Sequence, residues 1–199
     1  MKHESENAAI AAFQIEADAI MDTATVMDYA AFGKAVDVLA AAERIGASGC
    51  GHSGICCQHF AHLMCCIERP ARFIYPSEAV HGAMGFIQKG DVLLLASRGG
   101  KTTELIPMME IAHRKEAVVI AVTENTDSML AQGADIVLPM KVRREADRYD
   151  SQGTSSFVAL SAVFDALQAA LIEETGFRNE QFALIHPGGA VGERLNNDK

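Results

Sequence analysis

Two glycine-bearing loops with polar side chains in them are where chemistry could sit in this 199-residue sequence. The first is "GCGHSG" at residues 49–54, which has the Gly-x-Gly-x-x-Gly spacing of a dinucleotide-binding turn. That motif also needs an acid at the end of the next strand to hold the ribose hydroxyls. Here that strand ends in Tyr75-Pro76, and the nearest acid, Glu78, lies beyond the proline. A nicotinamide dinucleotide is therefore not expected. The glycines are read as a tight turn that lets helix and strand pack closely. Gly51, His52 and Ser53 remain as candidates for touching a ligand.

The second loop is "SRGGKTTE" at residues 97–104. It imitates a P-loop, but that motif requires a glycine where this chain has Leu95. What remains is a glycine turn at Gly100 that opens a helix, with hydroxyls from Ser97, Thr102 and Thr103. Free amides at a helix start, the positive end of the helix dipole and the charges of Arg98 and Lys101 together describe an anion site. Phosphate is the anion favoured.

Titratable residues fall just beyond strand ends: Glu78 and His81, Glu104, and Glu145, with His186 near the end of the chain in "ALIHPGGAVGERL". A carboxylate can shuttle a proton between neighbouring carbons, and an imidazole can polarise or protonate an oxygen. A rival chemistry, metal binding, rests on the cysteine- and histidine-rich stretch that continues from the first loop to Cys66. Cys56, His59 and Cys66 could meet on one helical face, but a tetrahedral zinc site normally draws ligands from more than one segment. No matching Cys pair exists elsewhere in the chain, so no metal is expected and the thiols are read as small core hydrophobes.

These loops need a frame to position them. Ile10, Phe13, Ala17, Ile20, Ala24 and Met27 alternate spacings of three and four, which predicts one apolar helical face. A second helix is predicted over residues 30–42, with Phe32, Val36 and Leu39 inward. Short apolar runs follow at residues 44–48, 72–75, 91–96, 117–122 and 135–138, the last closed by Pro139. Helical stretches lie between most of them, at residues 55–67, 103–114 and 128–132, and a long helix is predicted over 154–175. Continuous strands imply a sheet buried on both faces. Strands alternating with helices imply right-handed βαβ units. The expected fold is α/β: a doubly wound, five-stranded parallel sheet flanked by helices, with its ligand past the carboxyl ends of the strands. Residues 1–43 are expected as helices that pack on or between subunits, and 44–199 as the ligand-binding domain, the whole forming one structural unit.

Composition narrows the function classes. Hydrophobic residues make up 49% of the chain, enough for a substantial core. Lys and Arg number 17 against 26 Asp and Glu, a net charge of −9 that disfavours nonspecific binding to nucleic acid or anionic membrane. No apolar run is read as reaching the roughly 20 residues of a membrane span. The polar start, "MKHESEN", has no hydrophobic signal region after it, so a cytoplasmic location is expected. Five cysteines, two pairs of them sequence neighbours, argue for reduced thiols rather than a disulfide framework.

Taken together, "GCGHSG", "YPSEAVHGAMG", "ASRGGKTTELIP", "ADIVLPMKVRREA", "TSSFVALSAVFDAL" and "GFRNEQFALIHPGGAVGERL" resemble the SIS (sugar isomerase) domain family, and within it the arabinose-5-phosphate isomerases. The resemblance runs from about Ile45 to Leu195 and is most specific in the last string. It implies a flavodoxin-like α/β/α sandwich and a phosphosugar aldose–ketose isomerase that works through a cis-enediol without a cofactor. It implies polar site residues at His52, His81, Glu104, Glu145 and His186, and a phosphate loop whose pattern is kept by Ser97, Gly100, Thr102 and Glu104. It also implies a homotetramer in which His186 completes a neighbouring subunit's site. An alternative within the family is a non-catalytic phosphosugar sensor. This chain departs from the family pattern at His52, where relatives have Lys; at Arg98, Gly99 and Lys101, where they have Asn, Ser and an acid; and at residues 147–153, which replace "CPLGLAP". The paired CBS domains of many relatives are absent from this sequence.

Overall fold

The computed structural model describes residues 1–197. Five parallel strands form one sheet: β1 (Ile45–Gly49), β2 (Ala71–Phe73), β3 (Val92–Ala96), β4 (Val118–Thr123) and β5 (Ile136–Pro139), in the order β2-β1-β3-β4-β5. The strands are short and almost uninterrupted in apolar character because both faces are covered. Along β3, Val92, Leu94 and Ala96 enter one core cluster, and the alternate Leu93 and Leu95 enter a second on the opposite face.

The first face carries four helices: α1 (His3–Val26), α2 (Tyr29–Ala41), α3 (Gly51–Cys66) and α7 (Ser155–Thr175). The second carries α5 (Ile106–Arg114) and α6 (Met129–Gly133). A single turn, α4 (Pro76–Ala79), follows β2, and α8 (Asn179–Ile185) and α9 (Gly189–Asn197) close the described chain. The helix that leaves β1 and the helix that leaves β3 lie on opposite faces, so the sheet has its switch point between these two strands. A crevice at the carboxyl edge is the geometric consequence.

Several elements differ from their sequence-based expectations. The helix after the first loop begins at Gly51 rather than at residue 55, because Gly51 takes a φ of +55° and turns the chain directly into the helix. Residues 103–114 split into a 3-10 turn, Thr103–Leu105, and α5, with Pro107 in the first turn of the latter. Pro139 does not close β5 from outside. It is the last residue of the strand and lies in register with Thr123, which an edge position permits.

The predicted apolar stripe of α1 is buried only in its second half, where Ile20 and Met27 are half-buried and Met27 packs on the core. Ile10 is 64% exposed and Phe13 is 80% exposed, whereas Ala19 and Thr23 are buried. Long-range polar contacts fix the docking face. Thr23 accepts from the amide of Lys141 at 3.0 Å and donates to its carbonyl at 3.1 Å, and Arg143 grips Asp22 through two contacts of 2.6 and 2.7 Å.

A second correction concerns α7. Its 21 residues are long and apolar enough to cross a membrane by length and composition. Here Ala159, Leu160, Val163, Phe164, Leu167 and Leu171 instead fill the core against α2 and α3.

Candidate active site

The glycines of the first loop are explained by packing. A Cβ on Gly54 would lie 2.6 Å from the Gly49 carbonyl oxygen, so the first turn of α3 can sit on the end of β1 only without a side chain there. That close approach opens a cleft of about 570 Å³ between α3, the end of β2 and the start of α5. Gly51 and Glu104, both expected at the site, line it. Cys50, Gln58, Tyr75 and Ser77 line it too. Burial, and after it the negative charge of Glu104, push the Cys50 thiol up from its ordinary value. The thiol therefore stays protonated, and among the described residues that line the cleft Glu104 is the one carboxylate.

The second loop forms a cradle pinned by β4 and α6. Gly100 has a φ of +64°, and a Cβ there would collide with the Ser128 side chain, so no other residue fits. Leu130 donates its amide to the Gly100 carbonyl at 3.4 Å, and Thr123 donates its hydroxyl to the Arg98 carbonyl at 3.0 Å. These two bonds fix the carbonyls of Gly100 and Arg98. Among the described residues, the amides of Lys101, Thr102 and Thr103 have no protein acceptor. The Ser97 and Thr102 hydroxyls lie 2.8 Å apart, so one donates to the other and both flank the open amides. Thr103 donates to Glu104 at 3.2 Å, which joins the cradle to the carboxylate in the cleft.

Arg98 and Glu145 are bound to each other. The Arg98 guanidinium donates to Glu145 at 2.6 Å, to Glu124 at 2.8 Å and to the Val142 carbonyl at 3.2 Å. Glu145 is only 3% exposed. It accepts from the Thr154 amide at 2.9 Å and the Ser156 amide at 3.1 Å, at the first turn of α7. Burial alone would raise its carboxyl. The Ser156 hydroxyl and amide, the Arg98 charge and the Thr154 amide outweigh that effect and hold it below its ordinary value. The loop after it is built on two more acids: Asp150 accepts from the Glu145 amide at 2.6 Å, and Asp147 accepts from the amides of Tyr149, Ser151 and Gln152. The structure thus directs Arg98 away from the cradle's open amides, and it places Glu145 inside an internal network rather than in the open cleft.

The profile of the SIS domain family matches residues 38–170 of this chain. The chain belongs to the SIS domain family. It is similar to the arabinose 5-phosphate isomerase KdsD of Pseudomonas aeruginosa, with 38% identity over 165 residues, 82% of this chain and 51% of that protein. The chain therefore spans about half the length of the curated relatives it matches. A solved Listeria monocytogenes protein, provisionally named a sugar-phosphate isomerase, superposes with a TM-score of 0.90 at 39% identity and covers 94% of this chain and 100% of its own. The Escherichia coli CFT073 protein c3406, solved in complex with arabinose 5-phosphate, superposes with a TM-score of 0.83 at 27% identity, over 94% of this chain and all of that one.

Within this SIS fold the histidines are spread apart. His52 stands on the first turn of α3 with its ring edge-on to Phe157 of α7, the centroids 6.3 Å apart. His81 is exposed in the turn after α4, on the β2 side of the cleft. His186 follows α8, and α8 is tied to the opposite end of α3: Gln181 donates to Glu68 at 2.7 Å. The 16 residues of α3 span roughly 24 Å, so His186 is remote from its own chain's cleft, and it is exposed. Ser53 is half-buried beside His52.

Among the described residues, no three His, Cys, Asp or Glu side chains converge as a metal site. Cys56 and Cys57 turn into the core, and Cys66 meets only His62, at 3.6 Å.

Sequence reasoning did not single out Cys50, Gln58, Tyr75 or Ser77 as cleft residues, nor Glu124, Thr154 and Ser156 as partners of Arg98 and Glu145. Cys50, Tyr75 and Ser77 adjoin flagged glycines or a proline in sequence, which was the available signal. The others meet only through tertiary pairing.

Proposed function

We propose that the chain is a phosphosugar aldose–ketose isomerase of the arabinose 5-phosphate type, acting through a cis-enediol. One observation carries the reading: an anion cradle of open amides and paired hydroxyls is joined, through Thr103, to a carboxylate in a cleft at the sheet's switch point. Phosphate anchored in the cradle fixes the sugar chain at its far end, and that binding energy orients the reacting carbons. Glu104 is the proton shuttle. It takes the proton from the carbon beside the carbonyl and returns it to the neighbouring carbon, while the hydroxyl proton passes between the two oxygens with an imidazole of His81 or His186 as relay. Cys50, protonated, adds a small neutral wall beside it. Lys101, exposed on the cradle's turn, supplies the positive charge that Arg98 commits elsewhere. Arg98 and Glu145 position the two loops. Five free thiols suit a reducing compartment, and the cytoplasm is the proposed location.

The test is incubation with aldopentose 5-phosphates and aldohexose 6-phosphates in deuterated water. Solvent deuterium is expected at the carbon next to the carbonyl of at least one substrate. Tight binding with no exchange on any of them would replace the isomerase with a phosphosugar sensor.

The assembly proposed is a homo-oligomer, with the family's tetramer as the form expected. The exposed Ile10 and Phe13 of α1 supply an apolar surface for another copy, and the remoteness of His186 from its own cleft supports its service in a neighbour's. His186 would there assist ring opening, with His81 on the cleft's near side. Co-expressing Glu104→Gln with His186→Ala chains tests this. If sites are composite, random pairing restores about a quarter of them to full composition. Activity no greater than the sum of the two inactive parents would show that each chain builds its own site.

A further inference from the structure

Gly153 ends the acid-organised loop between β5 and α7 and lies against His52. A Cβ built on Gly153 would fall 2.9 Å from His52 Nδ1, 3.0 Å from Cγ and 3.2 Å from Cβ. Ordinary carbon contacts need about 3.5–4.0 Å, so any side chain at 153 displaces the ring. The backbone itself makes no such demand, since the φ of Gly153 is outside the left-handed region that favours glycine. The glycine is required by its neighbour's imidazole.

The ring is held from two sides. Gly153 supports one, and Phe157 meets it edge-on at 85°. The atoms that crowd Gly153 are at the root of the ring, so rotating away would also break the contact with Phe157. Among the described residues the imidazole makes no hydrogen bond; Nδ1 lies on the Gly153 side, and the residue is exposed at the sheet's carboxyl edge, which leaves Nε2 for a ligand. A polar ring clamped on two sides, with Nε2 left open, is arranged to bond a ligand. Thr154, next in the chain after Gly153, donates both its amide and its hydroxyl to Glu145, so the support beneath the ring is itself anchored.

We propose that His52 and Gly153 form a matched pair in which the missing side chain at 153 seats the imidazole against the sugar, making Gly153 a specificity-determining position. The chemical target is a hydroxyl of the sugar chain, remote from its phosphate. The proposal rests on the phosphosugar reading above. The imidazole reads chain length and hydroxyl placement because it is fixed in position and presents Nε2, a donor or an acceptor according to the tautomer.

The experiment is a double-mutant cycle of Gly153→Ala and His52→Ala, with kcat and KM measured on arabinose 5-phosphate and glucose 6-phosphate. In the presence of His52, Gly153→Ala is expected to lower kcat/KM on the better substrate about tenfold or more and to change the ratio between the two substrates by about fivefold. In the His52→Ala background the same substitution is expected to shift both by less than about twofold. Equal losses in both backgrounds would mean that the glycine serves the loop and not the ring. An unchanged substrate ratio in His52→Ala would mean that the imidazole does not read the sugar. If the wild-type chain binds both sugar phosphates without turnover, the same cycle is read in dissociation constants by calorimetry, so loss of the isomerase reading leaves the pairing testable. Melting temperatures of all four proteins separate a seated ring from a damaged fold.

Discussion

Glu104→Gln is expected to lower kcat by about 10²–10⁴-fold, the range for removing a positioned acid–base group, while KM stays within about threefold. The amide keeps the size and the hydrogen bond from Thr103 but cannot accept the carbon-bound proton. Access favours this residue over Glu145. Glu104 lines the open cleft and is linked to the anion cradle. Glu145 is 3% exposed and is occupied by Arg98, Thr154 and Ser156. A general base must reach the proton it takes, and a carboxylate with both oxygens engaged in the protein is poorly placed to do so. Deuterium exchange at the carbon beside the carbonyl is the direct readout, because it reports the proton transfer without depending on product release. Retention of more than about a tenth of wild-type exchange in Glu104→Gln would move the shuttle to another group.

Glu145→Gln is expected to act first on the fold. Neutralising the carboxylate leaves Arg98 facing Glu124 alone and strips the start of α7 of its anionic acceptor. Breaking a buried pair is worth about 3–5 kcal/mol, and the lower end applies because Arg98 is partly solvated and keeps one partner. For a chain of this size that is roughly 6–12 °C in Tm. Activity is expected to fall by about 10–100-fold through loosening of both loops, with kcat and KM changing together. The pH profile separates this role from that of a free acid. The Glu145 carboxyl is held below its ordinary value in the folded chain. Its contribution to stability is therefore fully present above the unfolded carboxyl's pKa and is lost as pH falls through the lower, folded one. Wild-type stability should decline more steeply than that of Glu145→Gln as the pH is taken from neutral into the acid range. Parallel declines would show that Glu145 has no special partnership in the fold.

Much of the architecture was legible in one dimension. The uninterrupted apolar runs at β3 and β4 could be satisfied only by a sheet covered on both faces, and the alternation with helices left a parallel order as the simple solution. The turn at Gly100 was legible too, since a glycine followed by hydroxyls marks the approach to a helix start. Local chemistry of this kind is carried by neighbours in sequence, so the sequence reports it directly.

Other features depended on residues far apart in the chain. The apolar stripe of α1 could not say which face docks, because the choice was made by Thr23 and Asp22 meeting Lys141 and Arg143, more than a hundred positions away. The pairing of Arg98 with Glu124 and Glu145 was likewise invisible in the sequence, since its partners lie 26 and 47 positions away. Gly153 lay in the stretch, residues 147–153, that departs from the family pattern, but its pairing with His52 was not legible, because its requirement comes from a ring on α3. The sequence by itself determined the sheet, the order of its elements and the glycine turn at Gly100, all of which rest on local pattern. Only the tertiary structure decided which charged groups face the cleft and which are spent on each other, because burial and pairing are properties of the packed chain and not of any segment in it.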